Sequence, residues 1–331
     1  MFHKRNWLAA LIFTVILMSY GHLEAGQLGG QAGAFLRVGL GADRVAMGDC
    51  GVALAGGGMN WYYNPASLPY QESRQASLGY RNMSLDRFIL YADYSTPIKQ
   101  DGVTKAGLSL GVIRAGITGV EYRDSNGEKF DVVTTSDNLI HGSFALMPHP
   151  RITFGITIKW MINAIPDILE DDRNLYAYGM GIDLGMRFIA RKNLQLGIQL
   201  RDINSQYSWE TSEVWGDQVS TKDDQLPLML RVGGAWDPME PLTVVTDLVI
   251  NTDQIGDDAD AFEPRFGLEY RYAVDSGKGF ALRAGWNGDV PTFGFRLDLD
   301  LWRLQARLDY AFLMDKVAPN ESHLIGWVFE F

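Results

Sequence analysis

The stretch Thr292-Phe293-Gly294-Phe295-Arg296-Leu297-Asp298-Leu299-Asp300-Leu301-Trp302 decides how this chain folds. Phe293, Phe295, Leu297, Leu299 and Leu301 fall on one face of an extended backbone, and Gly294, Arg296, Asp298 and Asp300 on the other. Side chains alternate in this way only in a strand, because a helix would scatter them around its circumference. The next segment repeats the pattern, with Leu304, Ala306, Leu308, Tyr310 and Phe312 opposing Gln305, Arg307 and Asp309. Further back, Ile152, Phe154, Ile156, Ile158 and Trp160 oppose Arg151, Thr153, Gly155, Thr157 and Lys159.

Extending this reading predicts about fourteen strands of roughly nine to twelve residues between residue 76 and the C-terminus. Ordinary globular strands peak near five or six residues, whereas a tilted strand crossing hydrocarbon needs about nine to eleven. The connections alternate too. Residues 147–151, 188–192, 237–241, 273–279 and 302–303 are tight, and between them lie long polar stretches at 115–137, 163–175, 203–226 and 252–261. Short turns on one rim and long loops on the other are the asymmetry of outer-membrane barrels.

A soluble sandwich also shows one apolar face, but three features favour the membrane. Glycines crowd the polar faces, among them Gly155, Gly185, Gly197, Gly233, Gly267, Gly285 and Gly294, as a wall pressed against something inside requires. Aromatics sit near strand ends on the apolar face: Trp160, Tyr176, Phe188, Trp236, Tyr270, Tyr272, Trp286, Phe312 and Trp327. The chain ends Trp327-Val328-Phe329-Glu330-Phe331, similar to the C-terminal signal that barrel-assembly machinery reads, with Trp327, Phe329 and Phe331 as its residues. The expected fold is therefore all-β: a closed transmembrane antiparallel β-barrel with no sheet edge left in lipid. Its lumen is expected to be wet and charge-mixed, lined by Arg187, Arg201, Arg231, Arg265, Arg283, Asp183, Asp247, Glu269 and Asp298.

Residues 1–25 read as a signal peptide. Lys4 and Arg5 precede the apolar run from Trp7 to Met18, and Leu23-Glu24-Ala25 offers a cleavage site. That run is too short for a spanning helix. Residues 26–75 do not alternate and are glycine-rich. They are read as an N-terminal hatch or plug folded into the lumen, the alternative being a soluble periplasmic tail. Residues 76–331 form the barrel. Cys50 is the only cysteine, so no internal disulfide is possible. The net charge of −11 argues against nucleic acid as a partner.

Ala32-Gly33-Ala34-Phe35-Leu36-Arg37-Val38-Gly39-Leu40-Gly41-Ala42, Ala46-Met47-Gly48, Val52 to Ala55 and Tyr63-Asn64-Pro65-Ala66-Ser67-Leu68 resemble the PorV/PorQ family of FadL-like outer-membrane barrels. Leu308-Asp309-Tyr310-Ala311-Phe312 and the terminal Phe331 are similar to that family's closing hairpin. Asp43 stands where the family commonly has arginine, Asp49-Cys50 where it has small residues, and Ser67 where it has glycine. The resemblance implies a fourteen-stranded barrel with an N-terminal hatch. It also implies a role in docking exported protein clients for type IX-like secretion. Passage of hydrophobic molecules such as long-chain fatty acids, as in FadL relatives, is the alternative. Expected partners are outer-membrane lipids, the assembly machinery, and either a secreted protein client or a hydrophobic small molecule.

Among candidate sites, Trp61, Tyr62, Tyr63, Asn64 and Pro65 are read as a gate or apolar ligand contact in the hatch, or else as aromatics anchoring it to the wall. Asn64-Pro65 is read as fixing a turn. His141 and Ser143 share a strand face, but nothing nearby supplies the oriented base and oxyanion donors that nucleophilic catalysis needs, so no enzyme is expected. Asp253, Asp257, Asp258, Asp260 and Glu263, and likewise Asp167, Glu170, Asp171 and Asp172, lack EF-hand spacing and read as solvated loops. No metal or cofactor is expected.

Overall fold

The computed structural model describes residues 32–100, 102–123, 126–169, 173–210, 221–252, 261–275, 278–301, 304–314 and 321–331. The expected signal peptide lies outside these residues. So do Asp253, Asp257, Asp258, Asp260, Glu170, Asp171 and Asp172, and the side chain of Asp167.

The strands are β1 (Gln75–Met83), β2 (Arg87–Gln100), β3 (Val103–Arg123), β4 (Lys129–His149), β5 (Ile152–Leu169), β6 (Arg173–Arg191), β7 (Leu194–Glu210) and β8 (Thr221–Gln225). They continue as β9 (Met229–Met239), β10 (Leu242–Asn251), β11 (Phe262–Asp275), β12 (Lys278–Trp286), β13 (Pro291–Leu301), β14 (Leu304–Met314) and β15 (Glu321–Glu330). Each pairs antiparallel with its neighbour. β1 pairs with β15 in the register Gln75↔Glu330, and β6 pairs with β7, so the sheet closes on itself. The lower part of β7 pairs with β9 and its upper part with β8. β8 and β9 are thus one strand interrupted at residues 226–228, and fourteen strands surround the barrel.

Burial is inverted relative to a soluble protein. Leu110 is 62% exposed while Lys159 is 0% exposed. Leu78, Phe154, Leu184, Leu248, Leu268 and Phe293 also face outward, where lipid replaces water. Tyr178, Tyr270 and Tyr272 stand exposed on the same face. Trp327 stacks on Phe329 with rings 5.9 Å apart, and Phe331 lies beside Tyr94.

Two expectations need correction. The stretches 115–137 and 163–175 are largely strand, as is the first part of 203–226: β3 and β4 are each 21 residues long, β5 is 18, β6 is 19 and β7 is 17. Above the apolar band nothing selects greasy outward side chains, so the alternation fades from the sequence while backbone pairing continues. The lumen is also not a wet channel at the level of its charges. Lys159, Asp183, Arg201 and Arg231 are buried, because residues 32–74 lie against the inner wall.

Placing a guanidinium in the middle of the outward face should cost about 2–4 kcal/mol. Leu184→Arg is expected to lose that much in denaturant unfolding in bilayers. Lys192→Ala, in a short turn, should change stability by less than about 0.5 kcal/mol.

Candidate functional site: the inner segment and its seat

The inner segment forms only short helical turns, at Ala34–Leu36, Ala42–Val45, Asn60–Tyr63 and Pro65–Tyr70. None is long enough to stand alone, so its conformation is set by what it touches. Asn64 is central and fully buried. Its side-chain oxygen accepts from Ala66 N at 3.0 Å, capping the turn that Pro65 opens. Its amide nitrogen donates to Val52 O at 2.7 Å within the segment and to Met186 O at 3.0 Å on β6, with Ile198 O on β7 at 3.4 Å. An amide has two such hydrogens, so the two wall carbonyls share one.

The glycines of the polar faces are where this backbone lands. A Cβ on Gly185 would collide with Asn64 Oδ1, one on Gly155 with Ala66 N, and one on Gly197 with Val52 O. On the opposite wall Gly267 and Gly285 make room for Met47 and Gly48, and Gly294 for Ala46. Gly48 itself has φ +70 and no space for a Cβ beneath the carbonyls of Phe266 and Trp286.

Charges complete the seat. Asp49 meets Arg265, Arg231 at 3.4 Å and the Tyr63 hydroxyl. Burial by itself would raise the Asp49 carboxyl, but Arg265 and Arg231 outweigh it and hold the group below its ordinary range. Arg37 reaches Asp202 on β7 at 2.7 Å, and Asp202 also meets Lys159, which bonds Asp183 at 2.6 Å. Asp202 points inward because β7 bulges. The ladder runs Met180↔Gln206, Ile182↔Ile203 and Leu184↔Leu200, so two extra residues are taken up between Leu200 and Gln206. Asp202 sits at φ 61 and Asn204 at φ 49 in that bulge. Asp247 accepts the backbone N–H groups of Gly51 at 2.7 Å and Val52 at 3.1 Å.

The aromatic run is brought together against the wall. Trp61 stacks on His141 with ring centroids 3.6 Å apart, Arg201 lies 4.0 Å over the Tyr62 ring, and Arg231 lies 5.7 Å over that of Tyr63. Tyr62 donates to Leu36 O and Tyr63 to Leu40 O, both at 2.7 Å. Pro65 packs against the glycine face of β5 and β6. His141 Nε2 is 3.0 Å from Asp93, and its Nδ1 is 3.2 Å from Ser143, whose hydroxyl also bonds Thr157 at 2.8 Å. Ser143 is 4% exposed and Trp61 covers the imidazole face. In this arrangement the Asp93–His141–Ser143 line, continued to Thr157, ties β2, β4 and β5 together.

Sequence reading did not single out Asp49, Arg37 or Asp202 as contacts of the segment. The one available signal was Asp49, a charge where the resembling family has a small residue. Among the described residues no group of three or more His, Cys, Asp or Glu side chains could hold a metal ion.

A closed fourteen-strand antiparallel barrel with an apolar exterior is an outer-membrane channel fold. Solved structures share it: the Pseudomonas putida toluene transporter TodX (TM-score 0.62, 14% identity, 89% of this chain and 99% of that one). The Ralstonia pickettii toluene transporter TbuX has TM-score 0.60 at 15% identity, covering 90% of this chain and 100% of that one. A Pseudomonas aeruginosa FadL homologue has TM-score 0.50 at 10% identity, covering 87% and 96%. At these identities the likeness is one of fold, and that fold is FadL-like. No family model matches the chain, and no curated protein matches it.

Asp49→Asn leaves Arg265 and Arg231 facing a neutral group. It should destabilise the seat by about 3–5 kcal/mol, read as faster protease cleavage within residues 32–74 while the barrel stays heat-modifiable on gels. Because the Asp49 pKa is depressed, its contribution is present above the unfolded value of about 4 and is lost as pH falls through the lower folded value. The same cleavage is expected to rise in wild type only below pH ~4, and in Asp49→Asn to be high already at pH 7. Gly197→Val should unseat the segment likewise, its side chain meeting Val52 O.

Proposed function

We propose that this chain passes hydrophobic small molecules across the outer membrane, with residues 32–74 as the hatch that controls passage. The observation that carries the reading is the inner wall above the charged seat. There Ile89, Ile113, Leu139, Met161, Ala177 and Tyr207, from β2 to β7, form one apolar cluster with Trp61 and Tyr62 of the hatch. These side chains are buried together with the hatch aromatics, so movement of the hatch would uncover a continuous apolar face on which such a molecule stays out of water. Trp61 to Pro65 are then the gate, held shut by Asn64, by the Trp61–His141 stack and by the Asp49 clamp. The toluene transporters among the fold's neighbours support the same class of cargo.

The resemblance of residues 32–68 to the PorV/PorQ family supports the second reading, docking of a protein client, for which a charged and plugged interior is the expected lumen. The charges of this lumen are spent on holding the hatch. In the passage reading, residues 1–25 direct export, and Trp327, Phe329 and Phe331 present the closing strand to the assembly machinery.

If the hatch must move, tethering it should stop transport. A Cβ on Gly326 would stand 3.7 Å from that of Ala42, the spacing a disulfide takes. In a Cys50→Ser background, Ala42→Cys with Gly326→Cys should admit toluene or a long-chain fatty acid into proteoliposomes when reduced, and should cease to when oxidised. A folded wild-type barrel that speeds entry of neither probe over empty liposomes would overturn the reading, and copurification of an exported protein would then favour docking.

A further inference from the structure

On the lipid-facing surface one residue breaks the pattern. From the row of Ile98 and Ala106 up to the row of Phe88 and Gly116, the outward positions of β2 to β6 carry apolar, small or uncharged polar side chains, except for Arg114 on β3, which is exposed. In its row the ladder partners are Leu90 on β2, Asn138 on β4 and Ile162 on β5. The row below holds Ala92, Val112, Ile140 and Trp160, and the row above holds Phe88, Gly116, Ser136 and Ala164. No carboxylate occupies any of the three. The carboxylates of these strands nearest to it, Asp93 and Asp137, alternate to the inner face, where Asp93 bonds His141 and Asp137 bonds Asn163.

Beside Arg114 an open depression of about 420 Å³ is lined outward by Leu90, Ala92, Val112, Asn138 and Ile140 and, behind them, by residues of the inner face. The β2–β3 and β3–β4 ladders run unbroken through it, so it is a groove in the surface and not a hole in the wall.

Its height follows from the strand. β3 starts at the short-turn rim at Val103, and its outward apolar run is Ala106, Leu108, Leu110 and Val112. At ~3.3 Å per residue and a tilt near 40°, Arg114 stands roughly 25–30 Å above that rim. That is the top of an apolar band about 25 Å tall. A guanidinium here is at headgroup level of the outer leaflet, with acyl chains below it.

We propose that this groove is a binding site for an outer-leaflet lipid with a phosphate-bearing headgroup. The Arg114 guanidinium takes two phosphate oxygens, the planar fork geometry it matches best. The Asn138 amide, its ladder partner, donates a third hydrogen bond. One acyl chain lies in the groove along Val112 and Ile140, over the small Ala92. The side chains that make these contacts face outward, whereas Tyr91, Ile113 and Leu139, which lie behind the groove, belong to the inner face.

The test is native mass spectrometry of the whole detergent-extracted protein titrated with a diphosphorylated lipid A. The same lipid stripped of phosphate serves as comparison. Wild type should bind the phosphorylated form at least about tenfold more tightly than the stripped form, and Arg114→Ala should lose that preference. Arg114→Lys, which keeps the charge without the fork, should fall between them. Heat-modifiable migration and unchanged toluene entry would show that the variants are folded. Equal affinity of wild type and Arg114→Ala for the phosphorylated lipid would overturn the proposal. So would equal affinity of wild type for both lipids, which would leave a groove that holds acyl chains alone.

Discussion

A peptide N–H or C=O facing hydrocarbon has no water to bond, and each one left unpaired costs several kcal/mol. That penalty dictates the architecture. A sheet in lipid can satisfy its last strand only by returning to its first, and the β15–β1 ladder from Gln75↔Glu330 to Asn82↔His323 does this. Once the sheet is closed, period-two alternation has a single solution. Within the apolar band the outward rows are given to leucine, isoleucine and aromatic side chains with Arg114 as the charged exception, and the inward rows at the level of the seat to arginine, aspartate and glycine.

The inward set then creates its own demand. Buried guanidinium and carboxylate groups are tolerated only when paired, and a wall of glycine packs well only if something presses on it. Residues 32–74 meet both demands. Their backbone lies on Gly155, Gly185, Gly197, Gly267 and Gly285, and Asp49 and Arg37 supply counter-charges to Arg265, Arg231 and Asp202. The seat is polar and specific, whereas the wall above it is greasy. This division sets a charged grip on the inner segment below an apolar cluster shared by the strands from β2 to β7.

Much of this was legible in the residues. The run 292–302 alone identifies a strand with two unlike faces, and the strand count follows by repetition. The glycines of the polar faces pointed to close contact inside before any contact partner was known. What could not be read was tertiary. Asp202 enters the lumen only because β7 carries two extra residues, and a bulge leaves no periodic trace in seven residues of mixed polarity. Asp93 meets the His141–Ser143 pair because β2 and β4 share a level across β3, a relation set by register and invisible in spacing. The upper halves of β3 to β7 were missed because lipid no longer selects their outward side chains.

The seat also sets an order of events. The inner segment precedes the strands in sequence, yet its partners are late: Arg37 bonds Pro227 190 positions away, Asp49 is paired 216 positions away with Arg265, and Gly48 bonds Thr292 after 244. None of those partners is in place until the cylinder has nearly finished zipping. During folding residues 32–74 must therefore wait, solvated and open to proteolysis, and they come to rest only after strands more than 200 positions later in the chain have joined the sheet.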